Sequence, residues 1–152
     1  MIRRAQPTDI PAIRILLIQL GYDPPSNLAA KLQRLTTDPD EALLVYQLDA
    51  EVVAFLSLHF IPQLALAGDF ARISYFAVND AARSHGIGSE LEEFTTLLAR
   101  ERNCDRIEVH CHSRRTDAHR FYERQGYTES PKYYIKSLVL SGPSDSADEK
   151  AF

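Results

Sequence analysis

Cysteine is scarce: only Cys104 and Cys111 occur in 152 residues, one in a predicted helix-end loop and one in a predicted strand. A chain of this length buries roughly two-thirds of its unfolded surface and needs no disulfide or metal staple. Both are expected as free thiols of a reducing compartment. An excess of positive charge is also missing, since 17 Lys and Arg stand against 21 Asp and Glu for a net charge of -4. A nucleic-acid partner needs a basic face, so none is expected. No apolar run reaches the roughly 18 residues of a membrane-spanning helix, which argues against a membrane partner. The start, Ile2-Arg3-Arg4-Ala5-Gln6, turns polar at once, unlike a signal peptide. A cytoplasmic protein is the expectation.

What remains is ordinary globular material, 45% apolar and 25% charged, with no internal repeat. Ile2 to Ala5 reads as a short strand. Thr8 and Asp9, with Pro11 in the first turn, open a helix with Ile10, Ile13, Leu16, Leu17 and Leu20 inward. After the irregular Gly21 to Pro25 link, Ser26 or Asn27 caps a second helix to about Thr36. Ala42 to Leu48 and Val52 to Ile61 form a hairpin whose second strand is more apolar on one side. Arg106 to Cys111 is a strand, Asp117 to Gln125 a helix ended by Gly126, and Tyr127 to Thr128 with Tyr133 to Leu140 a closing pair of strands. Residues 1–140 read as one domain, and Ser141 to Phe152 as a disordered tail.

The stretch that organises the chain is Ile73 to Val78, a strand, followed by Asn79 to Gly88, a tight loop, and an amphipathic helix from Ser89 to about Arg102. Ile87, Leu91, Phe94 and Leu98 recur at helical spacing, leaving Glu90, Glu92, Glu93 and Arg100 mainly for solvent. The first turn of a helix carries amides without intrahelical partners and the positive end of the dipole. A loop stripped of side chains at Gly86 and Gly88 lets a phosphate approach them. Arg83 adds a charged contact at its entrance. A dinucleotide fingerprint would need a small residue where Leu91 stands, and a P-loop needs Gly-Lys-Ser/Thr; neither fits.

Arg83-x-x-Gly86-x-Gly88 between strand and helix resembles instead the acetyl-CoA pyrophosphate loop of the GCN5-related N-acetyltransferases. Ala118-His119-Arg120-Phe121-Tyr122, followed by Gly126-Tyr127, resembles the second motif of that family. The element order agrees, and the likeness covers about residues 2 to 140. More narrowly, Ser113, Arg115, Ala118, His119, Phe121 and Tyr122, with Leu58-His59, Leu20-Gly21-Tyr22 and Lys136-x-Leu138, resemble the branch that includes aminoalkylphosphonate N-acetyltransferase. The resemblance implies an α/β acyltransferase fold: a mixed, mostly antiparallel sheet flanked by about four helices and splayed between its fourth and fifth strands. It implies acetyl-CoA as co-substrate and a small primary amine as acceptor, with no metal; a homodimer is left open. The acidic balance suits a cationic amine.

The resemblance also implies roles. Phe76, Ala77 and Val78 would pair with the pantetheine arm like an added strand, and Arg83, Ser84, His85, Gly86, Ile87, Gly88 and Ser89 would hold the pyrophosphate. Arg115, Ala118 and Phe121 would complete the cofactor site, and Tyr122 would be the general acid. Arg115 stands where many relatives carry asparagine, and Ser84 replaces a frequent glycine. The family's glutamate base is Tyr75 here, so a direct carboxylate base is in doubt. Glu108, His110 and His112 alternate on one face of their strand, and Glu108 or His112 could pass a proton through water; alternatively the enzyme selects the neutral amine from solution. His110 and His112 are too few for a structural metal site. Two further readings stay open: a CoA-binding sensor domain with weak catalysis, and an acetylase of protein lysines or N-termini.

Overall fold

The computed structural model describes residues 1–130 and 133–139. The chain falls into two compact units, Met1–Val109 and a second that begins at His110.

In the first unit, β1 (Ile2–Arg4), β2 (Glu41–Leu48), β3 (Glu51–Ile61), β4 (Phe70–Val78) and β5 (Arg106–Val109) form one sheet in that order. All neighbours are antiparallel except β4 and β5, which run parallel. A parallel pair needs a long crossover, and α3 (Ile87–Glu101) supplies it. The first connection carries α1 (Ile10–Gln19) and α2 (Leu28–Thr37). With α4 (Thr116–Arg124) of the second unit, the helices number four among the described residues, as expected of this fold class.

Strand alternation sorts the core into two layers. Ile13, Leu16 and Leu32 from α1 and α2 pack on Leu43, Val45, Phe55 and Ala77. Ile87, Leu91 and Ala99 from α3 pack on Leu44, Leu56, Leu58 and Ile73 across the sheet. β3 is therefore covered on both sides, and Val53 to Leu58 are all buried, where the sequence suggested one apolar face. Two register shifts matter. Tyr46 pairs with Ala54 and Gln47 with Val52, so Val53 is an extra residue; Ser57 pairs with Tyr75 and Leu58 with Ile73, so Ser74 is an extra residue on β4. Each is a β-bulge, which re-aims a side chain.

Asp9 sits at the start of α1, as its helix-start signal indicated, but its carboxylate does not cap that helix. It accepts from both terminal nitrogens of Arg3, at 2.8 Å each, and from the Gln6 amide at 2.7 Å. The paired guanidinium, helped by that amide, holds the buried carboxyl below its ordinary value of 3.8 against the opposing effect of burial. A depressed folded-state pKa contributes stability above the unfolded value that is lost as pH falls through the folded one. Asp9→Asn is expected to lower unfolding free energy at pH 7 by about 2 kcal/mol, the range for hydrogen bonds to charged groups. In urea titrations the deficit should narrow below about pH 4, near the reference value for a free Asp.

On α3 the buried stripe is wider than its periodicity implied. Glu92, expected in solvent, is 5% exposed and accepts from the Thr96 hydroxyl at 2.9 Å. β5 ends at Val109, not Cys111, because β4 offers it no ladder partner beyond Ile73. In the second unit, α4 closes with the Gly126 amide donating to Glu123 O at 3.0 Å and Gly126 at φ 92, as the C-terminal signal required. The expected closing strands are absent from residues 127–130 and 133–139. Tyr134 and Leu138 there are 87% and 86% exposed, so the apolar alternation has no buried face to fill. Leu140 and the expected tail, residues 141–152, lie outside the described residues.

Candidate active site

The pairing of β4 with β5 runs only from Phe70 opposite Arg106 to Ile73 opposite Val109. From Tyr75 to Val78 the strand is laddered to β3 alone among the described strands. Its other edge is thus turned away from any β5 residue along Phe76, Ala77 and Val78, and an edge of this kind accepts an added extended chain. The sheet opens where the resemblance placed its splay.

The loop after β4 is built by local polar contacts. The Asn79 side chain accepts from the Ala81 amide at 3.0 Å, and Asp80–Ala82 makes one 3-10 turn. The His85 ring donates from Nδ1 to Arg83 O at 2.8 Å. Ser84 at φ 67 and Gly86 at φ 79 then reverse the chain into α3. Both are left-handed, a conformation glycine adopts at little cost and serine at more, which accounts for the frequent glycine at the Ser84 position. A Cβ on Gly86 would meet no atom within 4 Å, so backbone geometry and not packing demands this glycine. The helical ladder starts with the Glu90 amide on Gly86 O at 3.0 Å, and Gly86, Ile87, Gly88 and Ser89 lie at the positive end of α3. Arg83 pairs with Asp80 at 3.1 Å, both side chains at least 60% exposed. An exposed pair of this kind is worth little, so an arriving phosphate can take the guanidinium over.

Across the sheet, Tyr75 meets Tyr22 of the Gly21 to Pro25 link edge to face, with ring centroids 5.6 Å apart. Glu108 is engaged by two guanidiniums, Arg72 at 3.0 Å and Arg106 at 3.1 Å. With β5 ending at Val109, Glu108, His110 and His112 do not share a strand face, which corrects the expected alternation. The His110 ring stacks on Tyr133 at 4.3 Å, and His112 Nδ1 accepts from the Arg114 amide at 3.1 Å. In the second unit Arg115 is the residue at the start of α4, its amide donating to His112 O at 3.0 Å, and Ala118 follows in the helix. His119 donates from Nε2 to His112 O at 2.8 Å. Tyr122 lies between Phe121 and Tyr127, ring centroids 5.3 and 5.4 Å away.

One constellation escaped sequence reasoning. His59 bridges β2 and β4: Nδ1 contacts the Glu41 carboxylate, and Nε2 lies 2.5 Å from the Ser74 hydroxyl oxygen. Glu41 and His59 are cross-strand partners and each is 23% exposed. Nothing in the sequence spacing shows that these three residues meet; the registers of β2, β3 and β4 bring them together. Cys104 and Cys111 are free thiols, and burial raises both above their usual range, which favours the inert protonated form.

A β4 edge without a β5 partner beyond Ile73, followed by a helix that begins at a left-handed glycine, is the arrangement that the resemblance to acetyltransferases implied. A profile of the acetyltransferase (GNAT) family matches residues 12–127. The chain belongs to that family, whose co-substrate is acetyl-CoA. It is 33% identical over 101 residues to aminoalkylphosphonate N-acetyltransferase of Salmonella typhimurium, a stretch covering 66% of this chain and 66% of that one. The crystal structure of a Bacillus halodurans protein described as a transcriptional regulator is similar at a TM-score of 0.85 and 26% identity, over 91% of this chain and 99% of that one. An aminoglycoside acetyltransferase from an uncultured soil metagenomic sample, in complex with sisomicin, shares the fold at a TM-score of 0.75 and 21% identity, over 91% and 96% of the two chains. Among the described residues no three His, Cys, Asp or Glu side chains gather as a metal site, and no helix is long and apolar enough to cross a membrane.

Proposed function

We propose that the chain moves the acetyl group of acetyl-CoA to the primary amine of a small molecule, by direct attack within a ternary complex. The observation that carries this reading is the run from the open edge of β4 into the glycine-started helix α3. The pyrophosphate would bind Arg83 and the amides from Ser84 to Ser89, while the pantetheine arm pairs with Phe76 to Val78 and directs its thioester back along β4. Arg115, Ala118 and Phe121 would complete the cofactor site. The amine nitrogen attacks the thioester carbonyl, the carbon–sulfur bond breaks, and Tyr122 protonates the departing thiolate. His112 remains a candidate for passing a proton through water. Glu108 is less suited, because both of its oxygens already serve guanidiniums.

A small acceptor is supported by the named activity of the Salmonella relative. The test is CoA release and N-acetyl product formation with 2-aminoethylphosphonate, spermidine, kanamycin, free amino acids and a lysine-containing peptide. Turnover of at least one small amine, with little on the peptide, is expected. Acetylation of the peptide alone would overturn the small-molecule reading, and CoA binding without turnover of any amine would favour a sensor domain.

A further inference from the structure

Acetyl transfer to an amine of ordinary basicity needs a base, because an ammonium of pKa about 10.4 is almost wholly protonated at neutral pH. Among the side chains of β4 beyond its pairing with β5, namely Ser74, Tyr75, Phe76, Ala77 and Val78, none is a carboxylate or an imidazole. Ser74 reaches an imidazole through its hydroxyl, 2.5 Å from His59 Nε2. The other ring nitrogen faces the Glu41 carboxylate. A carboxylate only accepts, so Nδ1 carries the hydrogen and Nε2 of the neutral ring is left to accept from the Ser74 hydroxyl. The hydroxyl has one proton; at 3.4 Å the Ser57 carbonyl is the weaker claimant for it. Carboxylate, imidazole and hydroxyl thus lie in one line across β2, β3 and β4, and the line ends on the residue where β5 departs.

We propose that Ser74, His59 and Glu41 form the proton relay that deprotonates the acceptor amine; the proposal rests on the acetyltransferase reading above. Ser74 Oγ takes a proton from the ammonium as its own proton passes to His59 Nε2, and Glu41 stabilises the imidazolium through Nδ1–H. The neutral amine forms its bond to the thioester carbon, the carbon–sulfur bond breaks, and the thiolate takes the phenol proton. The second amine proton, acidic on the tetrahedral nitrogen, restores the phenol through water, and the imidazolium discharges to solvent. Ammonium and acetyl-CoA become amide, CoA thiol and one proton. Ser74 stands two residues from Arg72, the ladder partner of His59, so the alternation of β4 puts its side chain on the face that His59 occupies. Arg72, opposite His59 in the ladder, is the nearest cation of β4 on this face, and its guanidinium is occupied by Glu108.

The relay is tested with whichever amine of the panel above the wild-type chain acetylates, by comparing pH profiles of kcat/KM for His59→Gln, Ser74→Ala and Glu41→Gln. His59→Gln is expected to lose about a hundredfold or more near neutral pH. Its remaining rate should climb about tenfold per pH unit toward the pKa of the amine, with KM for acetyl-CoA unchanged, because only the free base then reacts. A wild-type profile in His59→Gln, or an equal loss at every pH, would overturn the relay and assign the three residues to structure. Acetylated Ser74 in intact-protein mass spectra after acetyl-CoA alone would overturn it in favour of a covalent intermediate. Proton NMR of the free protein gives a readout that needs no amine: a far-downfield Nδ1–H resonance is expected in the wild type and absent from Glu41→Gln. Its absence from the wild type counts against the relay geometry itself. If the resonance is present and no amine is turned over, the acetyltransferase reading is what fails, and the relay falls with it.

Discussion

Tyr122→Phe is expected to lower turnover about a hundredfold to a thousandfold, the span of one lost proton transfer, while acetyl-CoA affinity stays within about twofold. The chemistry sets the size. A phenol near pKa 10 protonating a thiolate whose conjugate acid lies near 8.5 works about 2 kcal/mol uphill, but a thiolate that leaves without any proton must be expelled fully charged. Phenylalanine keeps the ring that meets Phe121 and Tyr127 edge to face, and matched unfolding midpoints separate any structural part of the loss from the chemical one. A burst of CoA release that slows in step with the steady state would place the loss in the chemical step. Full turnover in the variant would reduce Tyr122 to a packing residue.

Much of this architecture was legible because the sequence carries its period openly. The stripe Ile87, Leu91 and Leu98 and the glycines ahead of it announced α3 and its exposed start, and Gly126 announced the end of α4. Failures came where pairing, not pattern, decides. Tyr133 to Val139 alternates like a strand, but a strand exists only with a partner, and the described residues give it none. Cys111 and His112 continue the alternation of β5, yet the ladder stops at Val109, opposite Ile73, and β4 offers it no pair beyond that. The Glu41–His59–Ser74 line stayed hidden because three residues far apart in the chain, of which only His59 had drawn notice, are joined by two registers that no local spacing encodes. Glu92 was misplaced for a related reason, since the width of a buried stripe depends on how closely α3 lies on the sheet.

The placement of acetyl-CoA is the centre of the account, and Gly88→Val tests it most directly. Gly88 belongs to the first turn of α3 and, unlike Gly86, is absent from the glycines with positive φ. A side chain there is compatible with the backbone, and valine costs a helix no more than glycine does. Stability should therefore hold, whereas a substitution at Gly86 would mix ligand loss with backbone strain. Two branched methyls beside the first-turn amides would bar a phosphate from them. Hydrogen bonds to a charged group are worth about 1.5 to 3 kcal/mol each, so losing two of them should weaken binding by roughly a hundredfold or more. Isothermal titration calorimetry of acetyl-CoA into wild type and Gly88→Val, with matched thermal melts, measures it: the account requires a loss of that size with melting unchanged, and equal affinity in the two proteins would contradict it.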